Sequence, residues 1–160
     1  MDLSALDAID VHTHVHRSVT ATPETDAGID AMAAYFKTDA AAYTVDELAG
    51  YYRERNMAAV TFTIDVKDRP PRVTSEEIAE RAAANADVII PFASVDPARG
   101  ADGVAAARRL IEEHKVRGFK FHPSAQSFYP NDPSAYPLYE VIAEAGLQCG
   151  QTSGKRVVNP

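Results

Sequence analysis

The chain has 160 residues, 46% of them hydrophobic and 24% charged, with a net charge of -7 and a single cysteine, Cys149. That balance suits one soluble globular domain and not a disordered chain, and its acidity argues against nucleic acid or an anionic membrane as partner. One cysteine cannot close an internal disulfide, no apolar run nears the roughly 20 residues of a membrane span, and "MDLSALDAID" is not a signal peptide, so a cytoplasmic location is expected.

The elements alternate along the chain. "DAIDVHTH" (7–14) reads as a strand, followed by a polar stretch and then "IDAMAAYF" (29–36), which has helical character. "AAYTVDELAGYYRERN" reads as a helix that opens on a Thr44–Glu47 capping box. "AAVTFTID" (58–65) is the second strand, bounded by "KDRPP". Thr74 and Glu77 form a second capping box ahead of "SEEIAERAAANA". "DVIIPFASVDP" (87–97) is the third strand, and the helix "DGVAAARRLIEEH" directs Val104, Leu110 and Ile111 to a core. "VRGFKFHP" (116–123) is the fourth strand. A Pro- and Tyr-rich loop then leads to a helix with Pro137 in its first turn and Gly146 as its stop.

Four strand–helix units in a row predict a parallel sheet with right-handed crossovers, either an open doubly wound sheet or a (β/α)8 barrel. No glycine-rich phosphate motif follows any strand. Polar residues gather where strands end: His12 and His14, then Asp65, then Ser94 and Asp96, then Lys120 and His122. In a barrel that edge carries the active site.

Strand alternation places Asp10, His12 and His14 on one face. Two imidazoles two residues apart can converge on one metal, so His12 and His14 are the metal-ligand candidates, and His16 is read as a loop bystander. Lys120 and His122 repeat the spacing and are the catalytic candidates. Lys120 and Arg17 are the candidate receivers of a substrate carboxylate. Asp65 and Asp96 read as weaker cases, with Asp96 in a turn that bonds the backbone before a helix. His114 reads as a solvated residue at a helix C-terminus, and Cys149 has no motif of a nucleophile around it.

"IDVHTHVH", "PFASVDP" and "RGFKFHPSAQSFYPNDPSAYPLYEVIAEAGL" together resemble the amidohydrolase-related family, in the branch of aminocarboxymuconate-semialdehyde decarboxylase and γ-resorcylate decarboxylase. The resemblance runs from about Ala8 to Leu147 and implies a metal-dependent (β/α)8 barrel with one divalent metal, zinc first and manganese second. It maps His12 and His14 onto the first-strand ligands. It puts Lys120 on the strand where binuclear relatives carry a carboxylated lysine. The family's third ligand is a histidine in a His-Thr-Gly run on the fifth strand, and a late-strand aspartate completes its site. Here Leu147 is followed by "QCGQTSGKRVVNP", with no histidine after His122.

The expected fold is therefore α/β, the N-terminal half of a TIM-like barrel with four parallel strands. Residues 1–147 form the partial barrel and 148–160 an aberrant or disordered tail, as in a truncated or frameshifted family member. The expected activity is metal-dependent hydrolysis or non-oxidative decarboxylation of a small carboxylate, aromatic or ring-cleaved, or of its acyl thioester. The alternative is a catalytically incompetent half-barrel that binds metal weakly or only oligomerises. Unpaired outer strands favour a homo-dimer.

Overall fold

The computed structural model describes residues 1–22, 43–69 and 71–152. Five parallel strands alternate with helices: β1 (Ala8–His14), α1 (Val45–Arg53), β2 (Met57–Phe62), α2 (Ser75–Ala84), β3 (Ile89–Ala93), α3 (Gly100–Glu112), β4 (Gly118–Phe121), α4 (Tyr136–Glu144) and β5 (Gln148–Gln151). Their spatial order is their chain order, β1-β2-β3-β4-β5. A doubly wound sheet reverses its order at a switch point, whereas a barrel adds each strand on the same side of the last. The sheet is thus a curled half-barrel. The helical expectation at 29–36 lies outside the described residues.

The sequence predicts four strands, and the structure adds a fifth. Gln148–Gln151 pairs in parallel with β4, from Gly118↔Gln148 to Phe121↔Gln151. "QCGQ" has no apolar alternation, so its residue types do not announce a strand. The free backbone groups along β4 supply the template. Residues 148–151 are therefore sheet rather than irregular tail, and 153–160 lie outside the described residues.

The helices bury one side of the sheet in two clusters. Val45, Leu48 and Tyr52 of α1 and Ile78 of α2 pack over Ala59 and Ile89. Leu110 of α3 and Leu138, Val141 and Ile142 of α4 pack over Phe119 and Phe121. The opposite, concave side carries Phe62 and Phe92, and its β1 edge is open: Ile9 is 41% and Val11 71% exposed.

Both predicted capping boxes use their threonine. Thr44 accepts from the Glu47 N–H while the Glu47 carboxylate accepts from the Thr44 N–H at 2.9 Å. Thr74 likewise accepts from the Glu77 N–H at 3.1 Å, but the Glu77 carboxylate is spent elsewhere. It accepts from Ser18 Oγ at 2.7 Å and from the Val19 N–H at 2.9 Å. Two helix starts thus hold the loop that follows β1.

Candidate active site

A β-bulge sets the histidines. Asp10 pairs with Ala59, but Thr13 already pairs with Thr61, so β1 takes three steps where β2 takes two. The extra residue shifts the alternation. Asp10 and Thr13 end on the helix side, where the Tyr52 hydroxyl donates to Asp10 Oδ2 at 2.7 Å and lies 3.2 Å from Thr13 Oγ1. The expectation that Asp10 shares a face with His12 and His14 is therefore corrected. Its other oxygen accepts the His12 N–H at 2.9 Å and braces the bulge.

His12 and His14 turn to the concave side, with their Nε2 atoms 3.3 Å apart. Both rings meet Phe62 edge to face, at centroid distances of 5.1 and 4.7 Å. In the metal-free chain one ring can donate to the other. The same geometry suits a metal, since two nitrogens 2.0–2.1 Å from a tetrahedral zinc lie about 3.3 Å apart. Burial, then the neighbouring His12, His16, Lys120 and His122, lowers the His14 pKa to about 4. That keeps the ring neutral at pH 7, as ligation requires. His16 stacks on His14 with centroids 6.0 Å apart.

Lys120 is only 6% exposed. Its ammonium donates to Thr152 Oγ1 and stands 5.4 Å from the Phe62 ring centroid. Burial pushes its pKa below the ordinary lysine value. Among the described residues no carboxylate forms an ion pair with it. His122, two residues on, accepts the Ala125 N–H on Nδ1 at 3.3 Å, and Ser124 Oγ lies 3.0 Å from the same nitrogen. Arg17 grips both oxygens of Glu47 at 2.5 Å.

Asp65 and Asp96 serve the scaffold. Asp65 accepts the Asp96 N–H at 2.9 Å and the Arg99 fork at 2.6 and 2.7 Å. Asp96 accepts the N–H groups of Lys67 and Ala98, in keeping with the turn read from "VDP". Gln126, which no sequence motif marks, joins these loops to the site. Its Nε2 donates to the Asp65 carbonyl at 2.9 Å, and its Oε1 accepts the His122 N–H at 2.8 Å. Thr152 was equally unmarked, because its place opposite Lys120 depends on β5. His114 is less solvated than its helix-end position suggests, with its Nδ1 3.9 Å from Glu80 and its side chain 18% exposed.

The donor set meets a metal halfway. His12 and His14 have the spacing of two ligands, but among the described residues no group of three His, Cys, Asp or Glu side chains can hold an ion. At the end of β5 the concave face presents Thr152, while Gln151 donates to the Tyr139 hydroxyl at 3.0 Å.

A parallel half-barrel with paired histidines at the C-terminal end of its first strand defines a class, the TIM-barrel proteins that work at their strand ends. The chain belongs to the amidohydrolase family, whose profile matches residues 9–154. The family is generally metal-dependent. Among solved structures it is similar to an uncharacterized TIM-barrel protein from Bordetella bronchiseptica (TM-score 0.64, 16% identity, covering 92% of this chain and 56% of that one). It is also similar to the 5-carboxyvanillate decarboxylase LigW from Sphingomonas paucimobilis (TM-score 0.60, 15% identity, covering 88% and 50%). The chain thus spans about half the length of these structures. No curated protein sequence matches it.

Proposed function

We propose that this chain carries the first-strand half of a metal-dependent hydrolase or non-oxidative decarboxylase for a small carboxylate, aromatic or ring-cleaved, or its acyl thioester. The observation that carries the reading is the His12–His14 pair, with Nε2 atoms at ligand spacing beside a buried Lys120 that no carboxylate among the described residues pairs. His12 and His14 would hold one divalent ion, zinc or else manganese. When bound, such an ion polarises a carbonyl and lowers the pKa of a water ligand.

The chain's own residues do the rest. Lys120 offers a positive charge in a half-dry setting, where a substrate carboxylate replaces the water that a lysine normally keeps. Phe62, fully buried, backs the two histidines and the ammonium and keeps water from that side of them. Arg17, in the loop after β1 and paired with Glu47, is the second candidate to attract a carboxylate. A homo-dimer that covers the open concave side belongs to this reading.

The second reading is a catalytically incompetent half-barrel, favoured by the absence of a third ligand among the described residues. Metal content per chain, measured after dialysis in the native protein and in the His12→Ala/His14→Ala variant, separates the two. Stoichiometric metal that the variant loses supports the working site. Metal absent from both leaves the incompetent half-barrel.

A further inference from the structure

Two observations, one on β4 and one just past its end, go further than the metal pair. The first is the hydrogen bonding of His122. The Ala125 N–H is shared between the His122 carbonyl at 2.9 Å and Nδ1 at 3.3 Å; since a backbone N–H can only donate, its contact with Nδ1 favours the neutral ring that carries its proton on Nε2. Ser124 Oγ, 3.0 Å away, is free to rotate its proton toward the same nitrogen. The main chain of His122 is pinned as well, because its N–H donates to Oε1 of Gln126. Gln126 is itself 4% exposed and fastened to the Asp65 carbonyl. His122 is therefore held at its ring and at its backbone by groups from its own loop, which is in turn tied to the loop after β2.

The second observation is Lys120. It lies more than nine-tenths buried, beside the Thr152 hydroxyl and the Phe62 ring, with no ion-pair partner among the described residues. A buried ammonium without a counter-charge is costly unless a ligand supplies one. Lys120 lies on β4, and His122, one residue past the strand's end, is the next position of the same parity. Lys120 stands beside the Phe62 ring and Thr152 on the concave side, and His14 lies near enough to feel both groups.

We infer that His122 is not a metal ligand but a locked Nε2–H donor, and that with Lys120 it forms a two-point grip for one carboxylate group of a small acid. The ammonium supplies the charge and Nε2–H the direction. An Nε2 that carries a proton has no lone pair for a metal, so the grip leaves the ion to His12 and His14. Gln126 is a positioning residue, acting through His122. This deepens the proposed function and rests on it for the kind of acid, but the ring tautomer stands independently.

Long-range ¹⁵N–¹H correlation spectra of the full chain, at a pH where the ring is neutral, read the tautomer directly. The His122 signals are assigned by their loss in His122→Gln. The expected result is a bare Nδ1 and a protonated Nε2, unchanged in Ser124→Ala because the Ala125 N–H remains. A protonated Nδ1, or a His122 Nε2 that loses its proton when zinc is added, overturns the inference. Benzoate then serves as the probe acid. It should shift the His122 Nε2–H and Lys120 Nζ signals together, and Lys120→Met should abolish the shift while leaving the His122 tautomer intact. Benzoate that binds without moving Nε2–H, or that does not bind, overturns the grip. Gln126→Ala, checked for folding by circular dichroism, should average the His122 tautomers and weaken benzoate binding several-fold; an unchanged tautomer removes Gln126 from its role. Failure of the metal reading shows separately, as absent metal in the native protein.

Discussion

A methyl group on Gly118 would sit 2.4 Å from Cζ of Phe92 on the neighbouring strand. The ring of Phe92 lies across the place where a side chain would stand, and its backbone partner is Gly118 itself. Gly118→Ala should therefore cost about 1–3 kcal/mol through forced repacking, read as a lower urea midpoint with an unchanged slope. Tyr52 acts at the same scale on the other side of the sheet. Its hydroxyl serves both Asp10 and Thr13 across the bulge. Tyr52→Phe should cost about 1–2 kcal/mol, because Asp10 keeps its charge and loses a donor. The same variant should loosen the His12–His14 spacing and reduce retained metal, a readout that simple loss of stability does not move at low temperature.

At the scale of elements, the starts of α1 and α2 fix the loop after β1. Glu47 caps α1 and clamps Arg17, and its pKa falls to about 2 from 4.5, first through the Thr44 N–H, then through Arg17 and the Thr44 hydroxyl. A folded pKa below the unfolded one stabilises the native state above pH 4.5, and that stability drains away as pH falls toward 2. Glu47→Gln should lower the melting temperature at neutral pH, and the gap to the native chain should close between pH 4.5 and 2. A gap that stays constant across that range removes the ionised carboxylate as its cause. Thr44→Ala tests the cap itself, at about 1 kcal/mol by thermal melting. Glu77 explains why the second capping box is only half formed: its carboxylate gains more from Ser18 and Val19, two donors of a loop that no local pattern brings near it.

The described residues form half of a barrel, and among them each outer strand pairs on one side. The β1 edge leaves Ile9 and Val11 in solvent, apolar side chains on a strand with an open side among the described residues, of the kind that recruits another strand. In keeping with the proposed dimer, sedimentation should give about twice the 17.3 kDa of one chain. Val11→Lys, which charges the edge without touching the helix-side core, should shift the population to monomer. A single 17.3 kDa species in the native protein overturns the dimer.

Residue order alone determined the alternation of strands and helices, the threonine caps, the helix-side core and the histidine pair, because each rests on neighbours within a turn or a strand. Periodicities of two and 3.6 residues need no knowledge of the fold. Periodicity left barrel and open sheet both open and the family resemblance pointed to the barrel; the tertiary structure bears it out in the strand order, a relation among distant segments. It also decided the face of Asp10, which depends on a bulge that only pairing with β2 reveals. β5 and Gln126 belong with these. A polar strand exists because β4 offers it an edge, and a glutamine becomes a brace because the carbonyl of Asp65, 61 residues away, lies within its reach. Local chemistry placed the candidate ligands on one strand, and long-range backbone pairing settled how they face one another.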